Sequence, residues 1–221
     1  MSESQAARNL ELERLVFFSD AVVAIAITLL ALDLKVQVPE GKHLSFADLA
    51  HSWKKFTAFF LSFLMIAVFW KIHHQFFFYI RKIDHRVLFY NLGWLLFIVI
   101  LPFATTLISD DFNDKVASFV YSLMILSVTT FQNMMWDYVS LRPEFMKPDL
   151  PDEVNREFRT ACNIAMINAV IAIILSFFSP VFAFIILFTR TIMFRRSAIQ
   201  YLESKRKRKV KTETKKHHDH A

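Results

Sequence analysis

Residues 15–34 read LVFFSDAVVAIAITLLALDL, an apolar run with one acid near its start and one near its end. A helix rises 1.5 Å per residue, so about 20 apolar residues are enough to cross the hydrocarbon core of a bilayer. The run does not alternate with a period of two, and we therefore expect a helix rather than a barrel strand. This stretch predicts that the protein is embedded in a membrane.

The rest of the chain repeats this pattern. The sequence is 55% hydrophobic and holds 25 Phe but only 2 Gly, a balance too apolar for an ordinary soluble domain. Charge clusters divide the apolar runs into spans near residues 15–34, 56–79, 87–109, 116–138, 160–178 and 180–194. We expect an all-α, polytopic membrane protein with six transmembrane helices in one domain, residues 1–200, followed by a basic tail, residues 201–221.

The distribution of Lys and Arg predicts the orientation of these spans. An even number of spans places both termini on one side, and that side collects twenty basic residues against five on the other. Because basic loops stay in the cytoplasm, both termini are expected there, in a multi-pass protein of the plasma or inner membrane. The tail is expected to contact anionic lipid at the membrane surface, and we expect no nucleic-acid partner.

Several polar residues fall inside the spans, where an ionisable group costs about 2.5–3.5 kcal/mol on insertion scales. Asp20 lies about six residues past the cytoplasmic start of the first span, hence about 9 Å deep at 1.5 Å per residue. His73 and His74 lie six residues before the cytoplasmic end of the second span, and Asn91 is near the start of the third. We expect one polar layer to hold Ser19, Asp20, Trp70, His73, His74 and Asn91 together.

This layer has two interpretations. It is a structural network that ties the first three spans together, or it is a proton sensor, since a histidine beside a carboxylate can titrate near neutral pH. A haem or metal centre is not favoured, because the remaining histidines fall outside the spans.

The first span also presents an apolar stripe. At about 100° per residue, Asp20 points some 140° away from Ile25, so the carboxylate and the stripe lie on different sides of the helix. Contact with lipid or with other helices explains such a stripe as well as the lining of a pore does, and periodicity does not decide between them. The stripe contains Phe18, Ala21, Val22, Ile25, Thr28, Leu29 and Leu32.

Four short motifs carry a resemblance to a known family. The first span opens with R-x-x-x-F-S-D at residues 14–20, and the second holds F-W-x-x-H-H at residues 69–74. Asn91 and the L-P-F sequence at residues 101–103 follow on the third. In these residues the chain resembles the transmembrane protein 175 family of potassium channels. The last three spans match that family only in hydropathy and length.

The resemblance implies a homotetramer of six-helix subunits whose first helices surround the ion path. It implies constrictions at Ile25, Leu29 and Leu32, with Thr28 supplying a ring of hydroxyls. The implied ligand is permeant K⁺, with no cofactor and no other metal, and the implied partners are further copies of this chain, the bilayer and monovalent cations. The family lacks a T-V-G-Y-G filter, and so does this sequence. The structural polar network implied by the motifs contains Arg14, Phe18, Ser19, Asp20, Trp70, His73, His74 and Asn91.

Two other classes of protein are less consistent with the sequence. A proton- or cation-coupled secondary transporter is the alternative, but it should show repeats and helices broken by Gly or Pro, and Gly93 is the only glycine within a span. An enzyme should show a nucleophile or metal set that converges from several spans, and no such set is apparent. The sequence therefore favours a potassium-permeable channel over a transporter, and it does not favour an enzyme.

Overall fold

The computed structural model describes residues 3–36, 41, 43–148 and 150–188. Its helices are α1 (Glu3–Leu32), α2 (Phe46–His51), α3 (Trp53–Tyr79), α4 (His85–Asp110), α5 (Lys115–Ser140) and α6 (Asp152–Ser176). A single 3₁₀ turn, Pro143–Phe145, lies between α5 and α6. Residues 180–188 are also helical and are called α7. The predicted tail and the last part of the sixth span, residues 189–194, lie outside the described residues.

Five of the helices are long and apolar enough to cross a membrane, namely α3, α4, α5, α6 and the Leu10–Leu32 part of α1. The expectation of an all-α, polytopic membrane fold is therefore confirmed in this coarser form. α6 ends at Ser176 and α7 begins at residue 180, so only three residues connect the two helices. The backbone N–H of Ser179 donates to the carbonyl of Leu175 at 2.7 Å inside that turn.

α4 lies at the centre of the described bundle. It packs against α1, α3 and α5, and α5 in turn packs against α6. Gly93 on α4 allows close approach, because a Cβ at this position would collide with the ring of Phe131 on α5. The packing at α4 brings the motif-bearing helices α1, α3 and α4 into mutual contact.

The short helix α2 is absent from the sequence-based prediction. It is stabilised by a capping box in which the Ser45 hydroxyl accepts from the N–H of Asp48 and the Asp48 carboxylate accepts from the N–H of Ser45. The Asp48 carboxylate also accepts from the Ser45 hydroxyl at 2.7 Å, and this bond, together with that from the Ser45 N–H, lowers the pKa of the carboxyl. The serine and the acid three residues later were a legible signal for this helix in the sequence.

Asp84 fixes the start of α4. Its carboxylate accepts hydrogen bonds from the backbone N–H of Arg86 and Val87 and from the hydroxyl of Tyr138 on α5, at 3.0, 2.9 and 2.6 Å. Partial burial alone would raise the pKa of this carboxyl, but the three donors outweigh burial and hold the pKa below its ordinary value. Asp84 is therefore a charged helix cap that also links α4 to α5.

Candidate functional site

One face of α1 is buried inside the subunit. Leu15, Ser19, Val23, Ala26 and Leu30 are all buried, and they follow one another at intervals of three or four residues. This spacing places them on a single side of a helix, where they pack against the rest of the bundle. α1 therefore has a fixed rotation about its axis relative to α3 and α4.

A chain of buried hydrogen bonds sets this rotation. His73 Nε2 and Asn91 Oδ1 are 2.7 Å apart, Asn91 Nδ2 donates to Ser19 Oγ at 2.9 Å, and Ser19 Oγ donates to the carbonyl of Leu15 at 2.8 Å. Because Asn91 presents its oxygen to His73, the histidine carries a proton on Nε2 and donates. These hydrogen bonds all donate in the same order, from His73 on α3 to Asn91 on α4 and then to Ser19 on α1, so they join the three helices.

The ring of His73 is held by aromatic neighbours as well as by its hydrogen bond. It stacks on Trp94 of α4 with 4.2 Å between ring centroids and 12° between planes, and it also contacts Phe77 at 4.7 Å. Trp94 is fully buried. Sequence reasoning missed Trp94 as a partner of His73, although the spacing of Asn91 and Trp94 by three residues places both on one face of α4.

The structure divides the predicted polar layer into two parts. Separately from the buried chain, Trp70 Nε1 donates to Asp20 Oδ1 at 2.8 Å, and this pair lies at the surface of the subunit. His74 is exposed beside it, with its ring 5.4 Å from that of Trp70. Arg14 and Phe18 are likewise exposed. The residues therefore form an inner chain, defined as Ser19, His73 and Asn91, and an outer group, defined as Asp20, Trp70 and His74.

The opposite face of α1 is not covered by the other residues that the structure describes. Ile25 is 59% exposed near the middle of α1, and Leu32 is 66% exposed at its C-terminal end. Thr28 is exposed between them, and its hydroxyl donates to the carbonyl of Ile25 at 2.8 Å. The proton of Thr28 is thus used within the helix, while the oxygen keeps its capacity to accept. The exposed stripe contains Phe18, Ala21, Ile25, Thr28, Leu29 and Leu32.

Three further contacts, near the C-terminal ends of α1 and α4, were not predicted. Thr106 Oγ1 on α4 donates to Asp33 Oδ2 just past the end of α1 at 2.6 Å. In the buried core, Thr105 donates to Ser62, whose hydroxyl lies 3.0 Å from that of Tyr121. Hydroxyl side chains within apolar spans were the only sequence signal for this cluster, and sequence alone does not say which ones face each other.

The helices that carry this arrangement are similar in sequence to known proteins. The family model described as "Endosomal/lysosomal potassium channel TMEM175" matches residues 14–102, which contain α3, most of α1 and the first two thirds of α4. A protein described as a potassium channel from Streptomyces collinus is 37% identical over 54% of this chain. That alignment spans 60% of the relative, less than two thirds of its length.

Two other relatives extend the match. A protein described as a potassium channel from a Chryseobacterium species is 32% identical over 77% of this chain and 85% of its own length. The crystal structure of a lysosomal potassium-selective channel TMEM175 homologue from Chamaesiphon minutus covers 85% of this chain and 97% of its own, with 28% identity and a TM-score of 0.70. The resemblance predicted from the four motifs is confirmed, and this chain belongs to the TMEM175 family of potassium channels.

Proposed function

We propose that this protein is a potassium-permeable cation channel in which α1 from four copies surrounds a central pore. The observation that carries the proposal is the aliphatic stripe of α1, which the described part of the chain leaves uncovered, while the opposite face is anchored through Ser19. The related proteins described as potassium channels support K⁺ as the permeant ion. As a member of a channel family, the protein is not an enzyme.

Assembly follows from the same stripe. A single helix cannot enclose an aqueous path, so copies related by a rotation axis must each contribute one wall. In this proposal the exposed faces of four α1 helices meet at that axis. Both termini lie in the cytoplasm and the helices cross the cell membrane, as the asymmetry of basic residues indicates.

The proposed gate is hydrophobic. Rings of Ile25, Leu29 and Leu32 would narrow the path, and an aliphatic constriction of this kind excludes ions by losing its water. A small rotation or separation of the α1 helices would widen the rings and allow a hydrated or partly hydrated cation to pass. No carbonyl-lined filter is part of this mechanism, and no resident cofactor or metal is invoked.

Thr28 is the proposed source of selectivity. Its hydroxyl donates to the helix backbone, so the oxygen can accept or coordinate on the exposed side. A ring of four such oxygens could replace part of the water lost by K⁺, which gives up its hydration shell more readily than Na⁺ does. The expected preference for K⁺ is weak to moderate, because hydroxyls are fewer than the carbonyls of an ordinary filter.

The first experiment measures ion flux. The purified full chain is reconstituted into liposomes, and K⁺ and Na⁺ fluxes are recorded separately under imposed gradients. A channel gives passive flux that follows the gradient, with K⁺ exceeding Na⁺. Flux that saturates with concentration and requires a coupled counter-ion would instead identify the secondary transporter.

The second experiment asks whether the stripe faces the pore or lipid. Ile25 and Ile167, on α1 and α6, are matched in type and are 59% and 57% exposed. Ile25→Asn should increase resting K⁺ flux by about tenfold or more, because a polar ring wets the constriction, and tenfold corresponds to about 1.4 kcal/mol of barrier. Ile167→Asn should leave flux unchanged. Equal effects of the two variants would show that Ile25 lies against lipid.

The third experiment tests the hydroxyl ring. Thr28→Ala should reduce the ratio of K⁺ to Na⁺ permeability by a few-fold, because it removes the oxygens proposed to replace hydration water. Thr130→Ala is the control, since the Thr130 hydroxyl on α5 also bonds a backbone carbonyl of its own helix. An unchanged permeability ratio in Thr28→Ala would remove Thr28 from the mechanism.

A further inference from the structure

Two connections at one end of the bundle are docked onto each other. The backbone N–H of Arg81, between α3 and α4, donates to the carbonyl of Phe145, between α5 and α6, at 2.9 Å. The N–H of Lys147 donates to the carbonyl of Tyr79 at 2.9 Å. These reciprocal bonds form an isolated antiparallel bridge at Ile80. Main-chain pairing therefore fixes residues 79–81 against residues 145–147, and so holds the connection at residues 79–86 beside that at residues 142–147.

The docked connections carry an excess of positive charge. They hold five cationic side chains against two carboxylates, Asp84 and Glu144. Asp84 is already engaged by two backbone N–H groups and the hydroxyl of Tyr138. The five cations, which we call the basic platform, are Arg81, Lys82, Arg86, Arg142 and Lys147.

Carbonyl oxygens position three members of the platform. Lys147 Nζ donates to the carbonyl of Phe78 at 2.6 Å, and Arg142 Nη1 donates to the carbonyl of Tyr138 at 2.7 Å. Arg81 Nε donates to the carbonyl of Glu144 at 3.4 Å. A carbonyl is neutral, so these bonds orient the cations without cancelling their charge.

Aromatic faces hold the platform in a similar way. Arg142 and Arg86 lie over the ring of Tyr138, at 4.0 and 5.7 Å from its centroid, and Lys82 lies 5.4 Å from that of Phe145. Within the described part of the chain, the two salt bridges are Lys54 with Asp111 and Arg159 with Asp137, and neither includes a member of the platform. The platform thus keeps a net positive charge in a fixed arrangement, although Arg86 is close enough to the Asp84 carboxylate to interact with its charge.

The platform lies where the helices leave the membrane. It follows the end of α3, spans the start of α4 and follows the end of α5. Leu15, near the start of the membrane-spanning part of α1, belongs to the same core cluster as Ile80 and Phe145, so the platform is at that end of the bundle. Phe78 and Leu141 stand beside the cations and are 63% and 65% exposed. Cations at one level and exposed apolar side chains next to them match a lipid headgroup and its acyl chains.

We infer that the basic platform binds the phosphate of an anionic phospholipid from the leaflet at this face of the membrane. Guanidinium and ammonium groups donate to the phosphate oxygens, with arginine suited to paired bonds. The acyl chains lie along Phe78 and Leu141. Because the platform joins the connections after α3 and α5, a bound lipid would hold these two helix ends together.

The experiment measures lipid preference directly. The full chain is purified, equilibrated with an equal mixture of phosphatidylglycerol and phosphatidylcholine in mixed micelles, and examined by native mass spectrometry for bound lipid. The unaltered protein should carry phosphatidylglycerol in excess. Lys82→Gln with Lys147→Gln should reduce that excess by about 5- to 25-fold, since each basic residue near a membrane surface is worth roughly fivefold.

A matched control removes the same charge elsewhere. Lys115→Gln with Arg156→Gln also eliminates two cations, at the start of α5 and on α6, and should leave the preference unchanged. Lys82→Arg with Lys147→Arg keeps the charge and should retain the preference, which separates loss of binding from loss of folding. The elution profile of each variant checks that assembly is intact.

Three results would overturn the inference. One is an unchanged preference in the Lys82→Gln, Lys147→Gln variant, which would assign lipid binding to other basic residues such as those of the C-terminal tail. Another is an equal loss in the control variant, which would indicate an effect of net charge alone. The third is displacement of the lipid by soluble inorganic phosphate at equal concentration, which would indicate a simple anion site.

Discussion

The two faces of α1 differ in what holds them. The face that carries Ser19, Val23 and Ala26 is buried in its own subunit and is linked through Asn91 to His73. The face that carries Ile25 and Leu32 is apolar as well, yet the rest of the described chain leaves it exposed. Hydrophobicity alone therefore does not distinguish them.

The two faces show that polar side chains, rather than apolar ones, indicate how a membrane helix is rotated about its axis. An unpaired polar group in hydrocarbon costs several kcal/mol, so Ser19 and Asn91 must point toward partners in the same subunit. An aliphatic side chain has no such cost, whether it contacts lipid, another copy of the chain or a dewetted pore. The polar residues consequently set the rotation of α1, and the proposed pore lining is what this rotation leaves outside.

The largest effect on stability is expected at Asn91, which links the buried face of α1 to α3. Asn91→Ala removes the acceptor of His73 and the donor to Ser19, and it leaves a buried imidazole N–H without its partner. We expect a loss of about 2–4 kcal/mol in the free energy of unfolding, measured by titration with sodium dodecyl sulfate in mixed micelles. The exposed Asn113 provides the control, and Asn113→Ala should cost less than about 0.5 kcal/mol. Similar values for the two variants would contradict a structural role for the inner chain.

Two alanines on α1 test whether its two faces differ in packing. Ala26 is fully buried and Ala24 is exposed on the same helix. Ala26→Leu should destabilise the protein by about 1–3 kcal/mol in the same titration, because three extra carbons have no space in the core. Ala24→Leu should change the free energy of unfolding by less than about 0.5 kcal/mol. If Ala24→Leu were the more damaging of the pair, the rotation of α1 described above would be wrong.

The smallest expected effect concerns the outer group. Trp70→Phe keeps an aromatic ring but removes the N–H that donates to Asp20. Because this pair lies at the subunit surface, we expect a loss of about 1 kcal/mol, well below that for Asn91→Ala. Trp53→Phe serves as the control, since Trp53 is exposed near the start of α3 and makes a ring contact with Phe112. A loss in Trp70→Phe as large as that in Asn91→Ala would mean that the outer group, too, is sealed from solvent and lipid.

The sequence was sufficient for the helical architecture. Long apolar runs dictate helices, because backbone groups in hydrocarbon must pair within their own segment, and five such helices are present in the described residues. The depth of polar residues along each helix was also legible from a fixed rise per residue, which brought His73, Asn91 and Ser19 to one level. The tetramer and the roles of Ile25, Thr28, Leu29 and Leu32 stay predictions.

Other features were beyond the sequence. Depth along a helix does not say which neighbour a side chain meets, so the division between the inner chain and the outer group could not be foreseen. The stacking of Trp94 on His73 depends on the lateral arrangement of α3 and α4. The docking of residues 79–86 on residues 142–147 depends on main-chain hydrogen bonds, which leave no side-chain pattern to detect.

The sequence by itself thus determined that the chain forms membrane helices, and at what depth each polar residue lies. Both depend only on the one-dimensional order of residues, a fixed helical rise and the cost of polar groups in lipid. Only the tertiary structure decided which face of α1 is covered by its own subunit and which cations share one surface. These depend on how the helices rotate and pack around α4, a three-dimensional choice made by close contacts such as that of Gly93 with Phe131.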